Sequence, residues 1–498
     1  MKIFSASQVK AWDQFSIQEQ QISSDALMER AAGACFHWLG HHGFATGRPL
    51  KICCGKGNNG GDGLALARIL LQHNFNVTTY VLETGKPGSD DFQLNLQRLH
   101  QLTADIHFIQ SEVYFPAIKH EDILIDALFG SGLNKPLEGT AAQLVNYINQ
   151  SPGTVISIDI PSGLFVDRTS AGNSIIRASH TLSFQSIKPA FLFAENAPYV
   201  GSLHILPIGL SKTFEESTNT PYEMIEEELV RSLVRPRNEF AHKGNFGHAA
   251  LVAGSHGMMG AALLAAKACT HSGAGKLTVY IPSCGYSILQ SQVPEAMCKV
   301  AGSFFLADFE HDLAQHQVIG LGPGIGTAKE TIDVVRQLLL LPKKSFVLDA
   351  DALNIIASEK LSIPPGSLLT PHPGEFDRLF GKADNDFHRL AIAVEQAASL
   401  GIYIILKGHF SAIITPYGKV YFNSTGNAGM AKAGMGDVLT GFITGLMAQG
   451  YPLPEAAIMG VFLHGLAGDI AASKSGRQAM QASDLINNLA TAWLQFEQ

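Results

Sequence analysis

Gly426-Asn427-Ala428-Gly429-Met430-Ala431-Lys432-Ala433-Gly434-Met435-Gly436-Asp437-Val438-Leu439-Thr440-Gly441 sets a carboxylate at the mouth of an apolar run, directly behind a glycine-rich turn. Such a turn presents backbone N–H groups where phosphate oxygens can dock, and the start of a helix favours negative charge. Asp437 beside them can take a hydroxyl proton. The segment therefore points to phosphoryl transfer on an α/β scaffold, with a helix over 438–448 that is apolar almost all round and hence buried. An N-cap is the plain alternative for the carboxylate.

A second anion cradle lies far upstream, where Lys51-Ile52-Cys53-Cys54 ends in Gly55-Lys56-Gly57-Asn58-Asn59-Gly60-Gly61-Asp62-Gly63 and an amphipathic run over 64–71 follows. Strand, glycine-rich loop and helix make the dinucleotide-binding layout, although the spacing fits neither G-x-G-x-x-G nor the Walker A pattern. Two sites of this kind imply two active domains.

The first half alternates apolar strands, over 50–54, 76–82, 123–127, 155–160, 180–184 and 202–205, with helix-length patterns such as 92–101 and 141–149. Residues 5–33 read as helical, capped by Ser5 or Ser7. A mostly parallel sheet covered on both faces is the natural solution. Around Glu215-Glu216-Ser217-Thr218-Asn219-Thr220-Pro221 the chain turns polar and acidic, so one domain over 1–215, a linker over 216–228 and a second domain over 229–498 are expected, with an acidic loop inside one domain as the alternative. The second half opens a new alternation: strands over 249–253, 276–281, 318–320, 346–349 and 402–407, a hairpin over 411–415 and 420–422, and helices over 259–270, 438–448 and 455–467. The fold class is thus α/β, two three-layer αβα domains that are not copies of one another.

The 498 residues, 46% hydrophobic and 16% charged, suffice for two compact cores. A net charge of -8 offers no basic stripe and argues against a nucleic-acid partner. The N-terminus lacks a signal-peptide pattern, and the uncharged stretch over 248–266 is broken by Gly254-Ser255-His256-Gly257, a turn rather than a membrane span. A cytoplasmic protein without a membrane partner is expected. Six scattered cysteines contain no C-x-x-C pair, which favours packed thiols over zinc or disulfides.

In the second half, polar segments gather at strand ends: Gly322-Pro323-Gly324-Ile325-Gly326, Asp349-Ala350-Asp351-Ala352-Leu353-Asn354, Thr370-Pro371-His372-Pro373-Gly374-Glu375, Lys407-Gly408-His409 and the Asp437 turn. Open α/β sheets bind ligands there. Taken singly each is weak, since Gly-Pro-Gly is usually a turn, His372 a loop residue and Asp349 a cap. In this order they resemble the ribokinase-like superfamily, and within it the ADP- or ATP-dependent NAD(P)H-hydrate dehydratases, over roughly 230–494. The resemblance implies nucleotide binding by Lys407, Gly408, His409, Phe410 and Ser411 with Asn427, Ala428, Gly429, Met430, Ala431, Lys432, Ala433, Gly434, Met435 and Gly436. It places the hydrated nicotinamide nucleotide against Ala262, Gly324, His372 and Asp437, with Asp437 as base and Mg2+ assisting. Met435 stands where relatives carry a small hydroxyl residue, so only backbone contacts are expected there.

In the first half, the Asn58-Asn59-Gly60-Gly61-Asp62 loop, Asp126 ahead of Phe129-Gly130-Ser131-Gly132-Leu133, and Asp159-Ile160-Pro161-Ser162-Gly163 all lie just past strands. Their oxygen-rich side chains suit a hard cation, with Asx turns and caps as the bland alternative. As a set they resemble the NAD(P)H-hydrate epimerase family, over roughly 4–209, on a Rossmann-like fold. The resemblance implies K+ at Asn59, Asp126 and Ser162, and substrate at Asn58 to Asp62 and at Gly130, Ser131, Gly132, Leu133, Asn134, Lys135 and Pro136. Asp159 would contact the reacting ring; the hydroxylated carbon is a hemiaminal that inverts by losing and regaining hydroxide with acid-base help, and Asp159 is the expected catalytic residue for that step.

Together these resemblances imply a bifunctional repair enzyme that interconverts the R and S hydrates NADHX and NADPHX and dehydrates the S form at the expense of ADP, with ATP as the other possible donor. A homo-oligomer is expected. The rivals are a small-molecule kinase that releases a stable phosphorylated product, and an N-terminal half that only binds a nucleotide.

Overall fold

The structure is a computed structural model that describes residues 1–44 and 47–497. The chain divides into two compact units, Lys2–Thr220 and Pro221–Gln498 together with Met1.

In the N-terminal unit the parallel strands β1 (Leu50–Cys54), β2 (Val77–Leu82), β3 (Ile106–Ile109), β4 (Ile123–Ala127), β5 (Thr154–Ile158), β6 (His180–Phe184) and β7 (Ser202–Leu206) lie in the order β3-β2-β1-β4-β5-β6-β7. The chain builds outward from β1 to β3, then returns to the other side of β1 to lay down β4. That reversal opens a crevice beyond the carboxyl ends of β1 and β4, which is where such sheets bind ligands.

The longer helices of this unit are α1 (Ala6–Glu19), α2 (Ser24–His41), α3 (Asn58–Gln72), α4 (Asp90–His100) and α5 (Gly139–Gln150). Ser5 and Ser23 each cap a helix, so the stretch expected as one helix is two, parted by a turn in which Gln21 takes φ +52°. The Asn58 to Asp62 segment also differs from expectation. It is not a loop but the first turn of α3, because Gly60 and Gly63 let helix and sheet approach more closely than side chains allow. A Cβ on Gly60 would lie 1.7 Å from the Gly55 carbonyl oxygen, and one on Gly63 2.6 Å from Ala127 Cβ.

The C-terminal unit holds β8 (Tyr222–Met224), β9 (His248–Val252), β10 (Lys276–Ile281), β11 (Met297–Val300), β12 (Val318–Leu321), β13 (Ser345–Leu348), β14 (Leu368–Leu369), β15 (Tyr403–Leu406), β16 (Ala412–Ile414) and β17 (Val420–Phe422). Their order is β8-β17-β16-β15-β14-β13-β12-β9-β10-β11. Pairing is parallel except around β16, which closes the hairpin with β17. The topological switch falls between β9 and β12. Residues 216–228, expected as a linker, contain β8, which pairs with β17 from Tyr222↔Val420 to Met224↔Phe422.

Helices α6 (Met259–His271), α7 (Lys329–Leu339), α8 (Asp351–Glu359), α9 (Pro373–Phe380), α10 (Asp386–Leu400), α11 (Met435–Ala448), α12 (Leu453–Ala479) and α13 (Ala482–Leu494) complete the unit. α11 is buried along nearly its whole length, as its composition requires. α12 is long and apolar enough to cross a membrane, yet 72% of its most apolar stretch is buried, and Ile458, Met459, Phe462 and Leu463 form core with Phe442 and Leu446 of α11.

Candidate active sites of the two units

α11 begins at Gly434, whose φ of +93° and close neighbour Leu264 exclude a side chain. Asp437 is therefore the third residue of the helix and not its cap. The first intrahelical bond runs from Val438 N–H to Gly434 O, 3.1 Å, which leaves the N–H groups of Met435, Gly436 and Asp437 directed outward. Behind the turn, Asp349 at the end of β13 is almost fully buried. Its Oδ1 pairs with Lys407 Nζ at 2.8 Å and its Oδ2 accepts from Thr440 Oγ1 at 2.8 Å. Glu375 lies 3.8 Å from the same ammonium. Burial alone would lower the Lys407 pKa, but Asp349, Glu375 and Asp437 outweigh it and raise it. Burial, then the Asp349 charge, pushes Asp437 up to about 7, with Lys407 opposing. A carboxyl titrating there is matched to proton transfer near neutral pH.

Gly322 enters its turn at φ +130° because a Cβ would lie 1.9 Å from the Asp349 carbonyl oxygen. Gly326 N–H donates to Asp351 Oδ2 at 2.8 Å, and Ser255 Oγ donates to the Gly324 carbonyl at 2.8 Å. These bonds set the Gly322–Gly326 loop beside the switch between β9 and β12. Ala262 is fully buried in the core beneath Gly254, so its side chain serves packing. His372 is an exposed N-cap for α9: its Nδ1 accepts from Gly374 and Glu375 N–H, while Glu375 Oε2 accepts His372 N–H at 2.9 Å. Gly408, His409, Phe410 and Ser411 form a short turn closed by Ser411 Oγ and the Gly408 carbonyl, 3.1 Å, with His409 exposed. Asn427 caps a 3-10 turn over Ala428–Met430. Lys432 donates to the carbonyls of Gln478 and Met480. Ala431 and Ala433 are exposed, and Met435 is buried.

In the N-terminal unit Asp126, at the end of β4, is fully buried and accepts from Ser162 Oγ (2.6 Å), Ser157 Oγ (2.7 Å), Ser162 N–H (2.9 Å) and Leu128 N–H (3.2 Å). Burial raises its pKa against those bonds. Ser162 Oγ also accepts Phe129 N–H at 2.8 Å. Asp159 takes φ +69°, and its Oδ2 accepts Ser131 N–H at 2.7 Å. Its Oδ1 pairs at 2.9 Å with Lys188, an ammonium only 1% exposed. Burial would raise the Asp159 pKa, but Lys188 and the Ser131 N–H bring it below the ordinary carboxylate value. A Cβ on Gly130 would lie 2.8 Å from Asp159 Oδ2 and 3.1 Å from Asn59 Cβ, so glycine lets the three predicted segments meet. Asn59 is buried with both amide atoms lacking a protein partner, which marks a place where a ligand or ion belongs.

Asp62 is raised well above the usual carboxylate range by burial and by the charges of Asp159, Asp13 and Asp91. Gly132, Asn134, Lys135 and Pro136 are exposed around the half-buried Leu133. Sequence reasoning missed Lys188, Thr440 and Asp13. Burial, then the Asp159 charge, brings Asp13 up to about 7 against Lys188. Asp13 carried no signal, being one polar residue of a polar helix face. Lys188, inside the apolar stretch Ile187 to Phe193, carried one.

Both sites are rich in oxygen ligands of the kind hard cations take. Asn59 with its spare amide oxygen and Asp126 as a buried carboxylate suit a hard monovalent cation. Around Lys407 the carboxylates outnumber the cation, yet among the described residues no cluster of three metal-ligating side chains is preformed.

Comparison with known proteins bears on both units. Residues 249–491 match the family model described as NAD(P)H-hydrate dehydratase, and residues 24–190 match that of the YjeF-related protein N-terminus. The bifunctional NAD(P)H-hydrate repair enzyme of Moorella thermoacetica is 34% identical across 98% of this chain and 96% of its own length. That of Coxiella burnetii is 34% identical across 98% of both chains. The ADP/ATP-dependent NAD(P)H-hydrate dehydratase of Bacillus subtilis, co-crystallised with ATP and Mg2+, superposes with a TM-score of 0.50 at 33% identity, covering 55% of this chain and 99% of its own.

Proposed function

This chain belongs to the family of bifunctional NAD(P)H-hydrate repair enzymes, and on that footing we propose a division of labour between its sites. The N-terminal unit equilibrates the R and S hydrates of NADH and NADPH, and the C-terminal unit dehydrates the S form at the expense of ADP, giving AMP and phosphate. The observation that carries this proposal is Asp437, titrating near neutrality in the first turn of α11 among outward N–H groups and facing Lys407.

In the C-terminal site Asp437 accepts the proton of the hydroxyl on the reduced ring. The freed oxygen attacks the terminal phosphorus of ADP as the bond from that phosphorus to the bridging oxygen of the departing AMP breaks, which leaves the ring oxygen phosphorylated. The N–H groups of Met435 to Asp437 and the Lys407 ammonium face the charge that builds there. Phosphate is a far better leaving group than hydroxide. Its departure with the neighbouring ring proton restores the double bond. Mg2+, brought on the nucleotide's phosphates, would offset further negative charge, with Glu375 the carboxylate available beside Lys407.

In the N-terminal site the hydroxylated carbon is a hemiaminal, so loss of hydroxide leaves a cationic ring that can regain it on either face. Asp159, kept ionised by Lys188, opposes that positive charge. Asp13, with a carboxyl near 7, is suited to deliver the proton that carries hydroxide away. K+ at Asn59, Asp126 and Ser162 would supply positive charge beside the buried carboxylate. A cytosolic setting, where the nicotinamide nucleotides are used, fits these activities.

Incubation with S-NADHX and ADP or ATP, followed at the reduced-nicotinamide absorbance, tests the dehydratase half. Recovery of that absorbance is expected, faster with ADP. A stable phosphorylated product without recovery would establish the kinase alternative. For the epimerase half, Asp159→Ala should slow R-to-S conversion by at least about 100-fold, and replacing K+ with choline should slow it as well. An unchanged rate in the variant removes Asp159 from the reaction.

A further inference from the structure

We propose that Asp469 is a positioning residue of the nucleotide site, an inference that rests on the 427–436 segment holding the nucleotide. Asp469 lies on α12. Its Oδ2 accepts Gly426 N–H at 2.8 Å and its Oδ1 accepts Asn427 Nδ2–H at 2.9 Å. Asn427 passes the constraint forward: its Oδ1 accepts Gly429 N–H at 2.9 Å, and its Nδ2 also donates to the Gly468 carbonyl at 3.1 Å. The carboxylate thus fixes the plane of the Asn427 amide, and that amide fixes the turn that leads to Gly434.

The rest of α12 is shaped for the same purpose. A Cβ on Gly465 would lie 2.3 Å from Thr425 Oγ1, and one on Gly468 2.4 Å from Met430 Sδ, so two helical glycines let the loop sit directly on the helix backbone. Thr425 Oγ1 donates to the Phe462 carbonyl at 2.8 Å. Glycines weaken a helix interior, and their presence at both contact points indicates that close seating of this loop is what α12 provides. Hydrogen bonds to a carboxylate are roughly twice as strong as neutral ones. With the loop already fixed, nucleotide binding does not have to order it.

Asp469→Asn keeps the volume and removes the charge, and it sets an amide NH2 against the donors it faces. In the full-length chain the KM for ADP should rise about 10-fold while kcat stays within about 3-fold. The KM for S-NADHX and the epimerisation rate should not change. Asn427→Ala added to Asp469→Asn should cost less than in the wild type, since both act through one set of bonds. Hydrogen exchange over 426–436 with and without ADP is the control. If ADP fails to protect these amides in the wild type, the nucleotide-site assignment falls and this inference with it. If ADP protects them but Asp469→Asn binds it unchanged, only the positioning role falls. Equal losses in kcat, both KM values and thermal stability would assign Asp469 to the scaffold and also overturn it. Should Asp469→Asn not fold, Asp469→Ser, which also withdraws both acceptors but sets no amide against the donors, decides: a raised KM for ADP supports the positioning role, and an unchanged one refutes it.

Discussion

Asp437 and Asp159 are both carboxylates near a lysine, buried in the case of Lys188 and half-buried in that of Lys407, yet their environments push them in opposite directions. Asp159 receives the Lys188 ammonium at 2.9 Å and is held ionised, whereas Asp437 meets its lysine only after Asp349 has paired with it and is raised to about 7. Asp437→Asn should therefore reduce dehydration at least about 100-fold and leave epimerisation intact, as paired assays on one preparation would show. The same variant has a stability signature. In the unfolded chain Asp437 ionises near 4, but the folded unit holds its proton to about 7, so it destabilises the fold increasingly as pH rises from 4 to 7. Asp437→Asn should match the wild type near pH 4 and exceed it at pH 8, on the order of 1–2 kcal/mol after solvent screening. Ligand-free melts at the two pH values measure this, and an equal difference at both would contradict it. In the other site, Lys188→Met strands Asp159 without its partner. A loss of about 3–5 kcal/mol is expected, smaller at low pH where Asp159 can protonate, together with loss of epimerase activity.

At the scale of elements, α11 carries the C-terminal chemistry because α6 holds it at backbone distance. A Cβ on Gly441 would lie 1.9 Å from the Ala265 carbonyl oxygen. Gly441→Ala should force the helices apart, costing about 1–3 kcal/mol or more and lowering dehydratase kcat by displacing Asp437, with epimerase activity unchanged. Denaturant melts and the two assays would check it. β1, β4 and α11 were legible because covered elements read as mainly apolar runs, Leu50 to Cys54 and Ile123 to Ala127 each holding a single charged residue, and β6 because Leu182 and Phe184 alternate with polar residues as strand positions do. β3 was not, since His107 and Phe108 at the sheet edge are exposed and break the pattern. Nor was β14, only two residues long. The α3 start was misjudged for another reason. Asn and Gly disfavour helices locally, but close packing on β1 and β4 overrides that preference. Of the sites, the motif residues were visible as strand ends. Asp13 and Asp469 reach them from helices distant in sequence, and Thr440, although it lies in the quoted Asp437 segment, is tied to the site by a bond to Asp349 far upstream; no local pattern marks such contacts.

At the scale of the whole molecule, each unit has its own topological switch point and its own buried carboxylate and lysine pair, Asp159 with Lys188 in one and Asp349 with Lys407 in the other. The S hydrate is the product of one site and the substrate of the other, and its release between them is open to test. Two full-length variants, Asp437→Asn and Asp159→Ala, should then complement each other in trans. With R-NADHX and excess ADP, the first converts the hydrate to the S form and stops. The second lacks the conversion and restores the reduced nicotinamide only from S hydrate already present. Mixed, they should recover the reduced-nicotinamide absorbance at a rate that rises with the concentration of either and approaches that of wild type when both are in excess. A mixture no faster than Asp159→Ala alone would show that the S hydrate is not released between sites, and repair would then require both active sites on one polypeptide.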